Sequence, residues 1–143
     1  MQNMKLLRFA PPVLALASLL LAGCGGSAAD LLTVDPYVGT WAGPMNFPGG
    51  SAPYQISWTI TKVSDLSATI SGTETRGIGL NPYSDSGTIT AGGLISVTST
   101  ISGANQATVD GQVSIDPISG DLTGTVTQTA GMAQNVTLDL TKQ

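Results

Sequence analysis

Residues 55–61 have the sequence QISWTIT, in which polar and apolar side chains alternate without a break. Ile56, Trp58 and Ile60 therefore share one face of an extended strand, and the polar residues between them share the other. This alternation predicts a strand with one buried face and one hydroxyl-rich face in solvent. Residues 109–115 and 136–140 repeat it, so the chain is predicted to be built from antiparallel strands.

The rest of the chain after Asp35 continues this pattern, and it shows no helical periodicity. The connections are short and rich in Gly and Pro, as in residues 116–120 (DPISG), which are typical of a type I turn closed by glycine. Closing such a meander into a barrel removes its two exposed edges. The predicted fold is all-β, an eight-stranded antiparallel up-and-down meander closed into a small barrel. The predicted strands are residues 37–43, 53–63, 66–76, 86–90, 94–102, 106–115, 121–129 and 135–141.

A Gly-x-apolar-Ser/Thr pattern recurs at Gly87, Gly111 and Gly124. Glycine inside a strand often marks a bend or a close approach of another backbone. The repeat therefore predicts hairpins whose glycines ease barrel curvature, and plain strand composition is the alternative.

The tripeptide GTW at 39–41, on the first predicted strand, resembles the Gly-x-Trp motif of lipocalins and other calycins, including avidin-like barrels. The resemblance implies a lipocalin-like barrel over residues 37–141 in which Trp41 closes one end. The alternative for Trp41 is an ordinary core aromatic. The chain departs from lipocalins in having no Arg on its last strand to stack on the Trp, where Lys142 is the nearest cation. It also lacks the several Trp residues that avidins use for biotin. Gly39, Trp41 and Trp58 are predicted to be structural.

The N-terminal segment holds the only cysteine. Lys5 and Arg8 precede an uncharged apolar run at 13–22, which ends in Leu21-Ala22-Gly23-Cys24. This order is typical of a signal peptide, and its end resembles the lipobox of bacterial lipoproteins. The resemblance implies that the Cys24 thiol carries a diacylglycerol, whose acyl chains can be palmitate, and that cleavage falls between Gly23 and Cys24. The alternatives are an ordinary secretory signal with a chance cysteine, or a buried helix.

The lipobox divides the chain into a signal peptide at 1–23, a lipidated Cys24 with a flexible tether at 24–34, and a barrel domain at 35–143. Several acyl chains hold a protein to a membrane far more firmly than one. Gly25 follows the cysteine, where an Asp would signal retention in the inner membrane. The predicted location is therefore the cell envelope, anchored in the outer membrane and facing the periplasm.

Charge and residue content exclude several functions. Residues 24–143 carry three basic and nine acidic side chains, a formal charge of −6, so binding to nucleic acid is not expected. There is no His, which removes serine or cysteine triads and His-metal sites. We expect no enzymatic activity, no cofactor and no metal, although Asp116 and Asp121 flank a turn that offers a weak Ca²⁺ alternative.

Carboxylates are the remaining catalytic candidates. Asp85-Ser86-Gly87 has the Asp-Ser/Thr-Gly form of aspartic proteases, but no apolar strand leads into it, so a turn Asp is predicted. Paired carboxylates for glycoside hydrolysis would have to come from a set in which spacing singles out no pair. That set is Asp65, Glu74, Asp110, Asp116, Asp121 and Asp139.

In an up-and-down barrel alternate connections share one end, which here includes the two longest, predicted at 44–52 and 77–85. These and the last connection carry Met45, Phe47, Leu80, Tyr83 and Met132. Apolar side chains gathered at one rim suit a binding mouth, or they cap a barrel filled by its own side chains. The predicted function is a lipid-anchored module that binds a small apolar ligand or an envelope protein at this rim. The alternative is a lipoprotein inhibitor or structural interaction protein without a cavity.

Overall fold

The computed structural model describes residues 33–143, which form one antiparallel sheet closed on itself. A single 3₁₀ turn, Asp35–Tyr37, precedes the first strand. The strands are β1 (Gly39–Asn46), β2 (Tyr54–Ser64), β3 (Ser67–Thr75), β4 (Tyr83–Thr90), β5 (Leu94–Ile101), β6 (Ala104–Gln112), β7 (Ser114–Ile115), β8 (Leu122–Ala130) and β9 (Met132–Lys142). Within these residues, no helix is long and apolar enough to cross a membrane.

The sheet order is β6-β5-β4-β3-β2-β1-β9-β8-β7, and a further pairing of β6 with β8 closes the ring. The two-residue strand β7 continues the line of β6 along β8, so the ring has eight positions. The predicted eight-stranded up-and-down barrel is therefore confirmed. The break falls at Val113, whose backbone N–H donates to Gly93 O at 2.9 Å instead of joining the β6–β8 ladder.

Several strand boundaries differ from the sequence prediction. β1 ends at Asn46 rather than residue 43 and β9 starts at Met132 rather than residue 135, so Met45 and Met132 lie in strands and not in the predicted loops.

The starts of β1 and β4 also differ. β1 starts at Gly39 rather than Tyr37, because Pro36 sits in the first turn of the 3₁₀ segment and takes Tyr37 out of the strand. β4 starts at Tyr83 rather than Ser86. The earlier start of β4 matters for the site, because it brings Asp85 into the barrel wall.

Trp41 is buried in the core near the end where the chain enters the barrel, here called the closed end. Its Nε1 donates to Tyr37 O at 2.7 Å, and the Lys142 ammonium lies 5.2 Å from the centroid of its ring. A Cβ on Gly39 would come within 2.7 Å of Lys142 Cε, so the glycine of the Gly-x-Trp motif makes room for this lysine. The Val34 backbone N–H donates to Asp65 O at 2.9 Å, which fixes the start of the domain at this same closed end.

Inward glycines allow the strands to curve around the core. A Cβ on Gly87 would collide with the backbone of Ser96 on β5, and one on Gly124 would collide with the backbone of Gln112. Gly43 and Gly72 are equally close to the backbones of Asp139 and Ser57. These close approaches support the predicted role of glycine in barrel curvature. Apolar side chains fill the interior of the barrel, among them Trp41, Trp58, Ile60, Ile70, Ile89, Ile95, Leu122 and Leu140.

Candidate ligand-binding site

The end opposite Trp41, here called the open end, carries the connections β1–β2, β3–β4, β5–β6 and β8–β9. Four polar side chains point inward just below it: Glu74, Asp85, Ser99 and Gln128. Each lies within three residues of the open end of its strand, and none is more than 3% exposed. Buried polar groups at this density are uncommon in a core otherwise built from apolar side chains. We call these four residues, together with Arg76, the polar cluster.

Glu74 and Arg76 form the charged pair of the polar cluster. The guanidinium Nε of Arg76 donates to Glu74 Oε1, and Ser99 Oγ donates to Glu74 Oε2 at 3.3 Å. The guanidinium also stacks on Tyr83, with its central carbon 3.8 Å from the ring centroid, and lies 5.1 Å from the ring of Tyr54. Cation–π contacts of this kind hold the arginine in place beneath the rim.

Asp85 lies beside this pair and is held by Trp58, whose Nε1 donates to Asp85 Oδ2 at 2.7 Å. Burial raises the pKa of Asp85, against the hydrogen bond from Trp58, the nearby Ser99 hydroxyl and the charge of Arg76, which lower it. Burial likewise raises the pKa of Glu74, against the opposing effect of Arg76. Both carboxyls are therefore in surroundings that disfavour their charge, as expected where desolvation outweighs pairing.

Three buried atoms of the polar cluster have no hydrogen-bond partner among residues 33–143: Asp85 Oδ1, Arg76 Nη2 and Gln128 Nε2. The other amide atom of Gln128, Oε1, accepts from Gln134 Nε2 at 3.3 Å. The Gln128 amide is therefore paired on one side only. A buried polar atom without a hydrogen-bond partner lowers stability by about 1–3 kcal/mol. These three atoms therefore mark a place where hydrogen-bond partners are missing.

The unpartnered atoms come from opposite walls. Arg76 follows the last residue of β3, Asp85 lies on the neighbouring strand β4, and Gln128 lies on β8. In a ring of eight positions, β8 is four strands from β3 in either direction. An acceptor atom and a donor atom thus come from two neighbouring strands, and a third unpartnered atom comes from a strand on the far side of the barrel.

An apolar and aromatic rim surrounds the polar cluster. Phe47 and Tyr54 pack with ring centroids 4.4 Å apart at an interplanar angle of 59°. Tyr54 begins β2, and Trp58 lies four residues deeper on the same inward face. The ring of Tyr54 therefore lies nearer the open end than that of Trp58, whose Nε1 reaches Asp85.

The rim residues predicted from sequence occupy different positions. Met45 is fully buried in the core, and Phe47 and Tyr83 are half-buried beside Tyr54 and Arg76. Leu80 is 60% exposed and Met132 is 84% exposed. Phe47 and Tyr83 thus border the polar cluster, whereas Leu80 is exposed in the β3–β4 connection and Met132 is exposed at the start of β9, not in a loop as predicted. Gly39 is half-buried and both Trp residues are buried, as described above.

The prediction that Asp85 is a turn residue is wrong, because it is a buried residue of β4. Spacing does not rank Glu74 among the six candidate carboxylates, and the sequence does not single out Arg76, Ser99 or Gln128. The two-residue period of a strand does indicate that two of these side chains point inward. Glu74 is two residues beyond the inward Gly72, and Gln128 is two residues beyond the buried Val126. The predicted lipidation and cleavage residues, Gly23 and Cys24, lie outside the described residues.

No family model and no curated protein matches the chain. Among solved structures, it is similar to EF1p2_mFAP2b bound to DFHBI, with a TM-score of 0.63 and 18% identity, covering 79% of this chain and 98% of that one. It is also similar to a redesigned beta barrel, with a TM-score of 0.61 and 23% identity, covering 81% of this chain and 95% of that one. At these identities the comparisons show the barrel fold.

Proposed function

We propose that this protein is a lipid-anchored envelope protein whose barrel binds a small molecule through its open end. The observation that carries the proposal is the set of three unpartnered buried atoms on Arg76, Asp85 and Gln128. Native interiors leave few such atoms unpaired, and a bound molecule with matching groups would supply their partners. The similarity in fold to EF1p2_mFAP2b, which is bound to DFHBI, supports a barrel of this size as a ligand-binding scaffold.

The position of the domain start supports an arrangement at the membrane. Val34 and the turn Asp35–Tyr37 lie at the closed end, and the last residue, Gln143, returns there with its N–H 2.9 Å from Thr40 O. A lipid on Cys24 would therefore tether the barrel by its closed end. The open end, with its aromatic rim and the polar cluster beneath, would then face away from the membrane, where a diffusing ligand can reach it.

Native mass spectrometry of the full chain, purified in mild detergent from its host, tests the binding function. We expect a species heavier than the lipidated protein by one small molecule, which is released on denaturation. Replacing Gln128 by Met should reduce the occupied fraction, and the matched exterior change Gln106→Met should not, because Gln106 is exposed. A protein that carries no small molecule would contradict the proposal. A stoichiometric protein partner in its place would favour the interaction role.

A further inference from the structure

We propose that the closed end of the barrel rests on the lipid surface to which the chain is anchored, and that apolar side chains at three of its turns enter the headgroup region. The inference rests on the lipid anchor of the proposed function, and it names the surface that the barrel itself contacts. The three turns are β2–β3, β4–β5 and β7–β8, here called the closed-end turns.

Large apolar side chains are exposed only at the two ends of the barrel within residues 33–143, and the outer wall between the ends carries none. At the closed end they are Val63 and Leu66 at the β2–β3 turn, Leu94 after the β4–β5 turn and Ile118 in the β7–β8 turn. Their exposed fractions lie between 56% and 96%. A single exposed apolar residue is ordinary, but here each closed-end turn carries at least one.

The ring places the closed-end turns side by side. The strands run β2, β3, β4, β5, β6 and β8 around the barrel, so the three turns follow one another, and the chain enters and leaves between β9 and β1. Backbone hydrogen bonds connect them: Ala91 N–H donates to Leu66 O at 2.9 Å, and Val113 N–H, between β6 and β7, donates to Gly93 O at 2.9 Å. The turns therefore form one connected surface that presents their apolar side chains together.

The β7–β8 turn holds Ile118 outward through its own hydrogen bonds. Asp116 Oδ1 accepts from the backbone N–H of Ile118 at 2.8 Å and from that of Ser119 at 2.9 Å. The Gly120 N–H donates to Asp116 O at 2.9 Å. Because the turn is fixed in this way, the 96% exposure of Ile118 is built into the fold.

The length of chain between the lipid and the barrel indicates what covers these side chains. Val34 lies at the closed end, ten residues after Cys24. Whatever its conformation, a segment of that length spans at most about 33–36 Å. A lipid on Cys24 therefore keeps the closed end close to the membrane, and the high effective concentration makes weak contacts sufficient. Three partly inserted side chains would not hold the protein without that anchor, since attachment scales with the apolar area buried.

The charge of the closed end indicates which lipids it meets. Lys62 pairs with both Asp35 and Asp65, whereas Asp116 and Asp121 beside Ile118 form no ion pair within the described residues. The charged side chains at the turns and chain ends here are Lys62, Lys142, Asp35, Asp65, Asp116 and Asp121. This acidic excess opposes attraction to anionic lipid. We therefore expect contact with zwitterionic lipid, driven by apolar burial.

Electron paramagnetic resonance of a single nitroxide label tests the inference on the lipidated protein in phosphatidylcholine vesicles. The label is attached in Ile118→Cys or, as the matched control, in Ile78→Cys, which is equally exposed but lies at the open end. Lipid on Cys24 leaves the introduced cysteine as the only free thiol. Oxygen concentrates in lipid and a polar nickel chelate stays in water. We expect the ratio of oxygen to nickel collision rates to be several-fold higher in Ile118→Cys. Replacing half of the lipid by anionic phosphatidylglycerol should lower that ratio.

Equal ratios in the two variants would overturn the inference, because they would place the closed end in water. Protection of the Ile118→Cys label from both oxygen and nickel would also overturn it, since it would indicate contact with protein, either a second copy or another partner. Both results leave the proposed anchor standing if radioactive palmitate still labels the protein. Absence of palmitate labelling would instead remove the anchor itself, and the inference with it.

Discussion

At the scale of single residues, the hydrogen bond from Trp58 to Asp85 links the apolar core to the polar cluster. Trp58 lies in the stretch 55–61, whose alternation determines the fold, and its Nε1 meets the carboxylate at 2.7 Å. The indole thus does two things: it fills the interior, and it orients Asp85 so that Oδ2 is paired while Oδ1 remains free. The fold and the site share this one side chain.

Changing Trp58 to Phe removes the donor and keeps an aromatic ring. We expect the free energy of unfolding to fall by about 1–3 kcal/mol, because a buried carboxylate oxygen loses its partner. In an Asp85→Asn background the same change should cost less, since no buried carboxylate is left unpaired. Urea denaturation of the four proteins gives the coupling energy, and a coupling of zero would mean that the hydrogen bond contributes no stability.

Asp85 also predicts how stability depends on pH. Its pKa is raised by burial above the ordinary value of 3.8, so the folded chain keeps this proton at pH values where the unfolded chain has released it. The contribution of this group to stability is therefore greatest below about pH 3.8 and declines as pH rises through the raised pKa. Between pH 4 and pH 7, wild type should lose more stability than Asp85→Asn, as measured by denaturant unfolding. A larger loss in the variant would contradict the burial of a carboxyl here.

Sequence reasoning finds the apolar half of the interior and misses the polar half, for a physical reason. A polar side chain at an inward position looks the same in sequence as one in a turn, and Asn81-Pro82 before Asp85 strengthens the turn interpretation. Only the pairing of β3 with β4 shows that Gly72 stands opposite Asp85 and that both point inward. The pairs that make the polar cluster are long-range, so no local pattern contains them.

At the scale of elements, β4 explains why glycine is placed within strands. Gly87 stands opposite Val97 on β5 and Ile70 on β3, and its missing Cβ leaves space for the Ser96 carbonyl. The alternation of polar and apolar residues predicts most strands well. It places the start of β4 three residues too late, because it leaves Tyr83 and Asp85 in the preceding loop. The turn Asp35–Tyr37 delays the start of β1 by two residues, through Pro36.

The substitution Gly87→Ala should therefore destabilise the barrel by about 1–3 kcal/mol, since backbone must shift to admit the methyl group. Gly92→Ala is the matched control, because Gly92 lies in the β4–β5 turn with only Thr90 Oγ1 nearby, at 3.8 Å. Thermal denaturation followed by circular dichroism compares the two. Equal effects would show that the glycines of β4 reflect composition rather than curvature.

At the scale of the whole molecule, the barrel has two unlike ends. The closed end carries the first described residues, the C-terminus, and Lys142 over Trp41, while the open end carries the longest connections and the polar cluster. The eight-strand count derived from sequence was enough to place alternate loops together. It could not show what lies between those loops, because that depends on side chains from β3, β4, β5 and β8 converging in space.

Anchoring through the N-terminal segment is a separate prediction at this scale. Replacing Cys24 with Ser should abolish labelling by radioactive palmitate and release the protein from membranes, because multiple acyl chains supply the attachment. Fractionation and labelling of the host cells measure both effects. Membrane association that persists without labelling would show that the protein is held by something other than lipid on Cys24.

The most direct test of a ligand-binding open end is a high-resolution crystal structure of the full chain purified from its host in detergent. We predict density for a small molecule within hydrogen-bond distance of at least two of the three unpartnered atoms, Asp85 Oδ1, Arg76 Nη2 and Gln128 Nε2. Density for water alone at these atoms, or a rearrangement in which they pair with one another, would contradict the account.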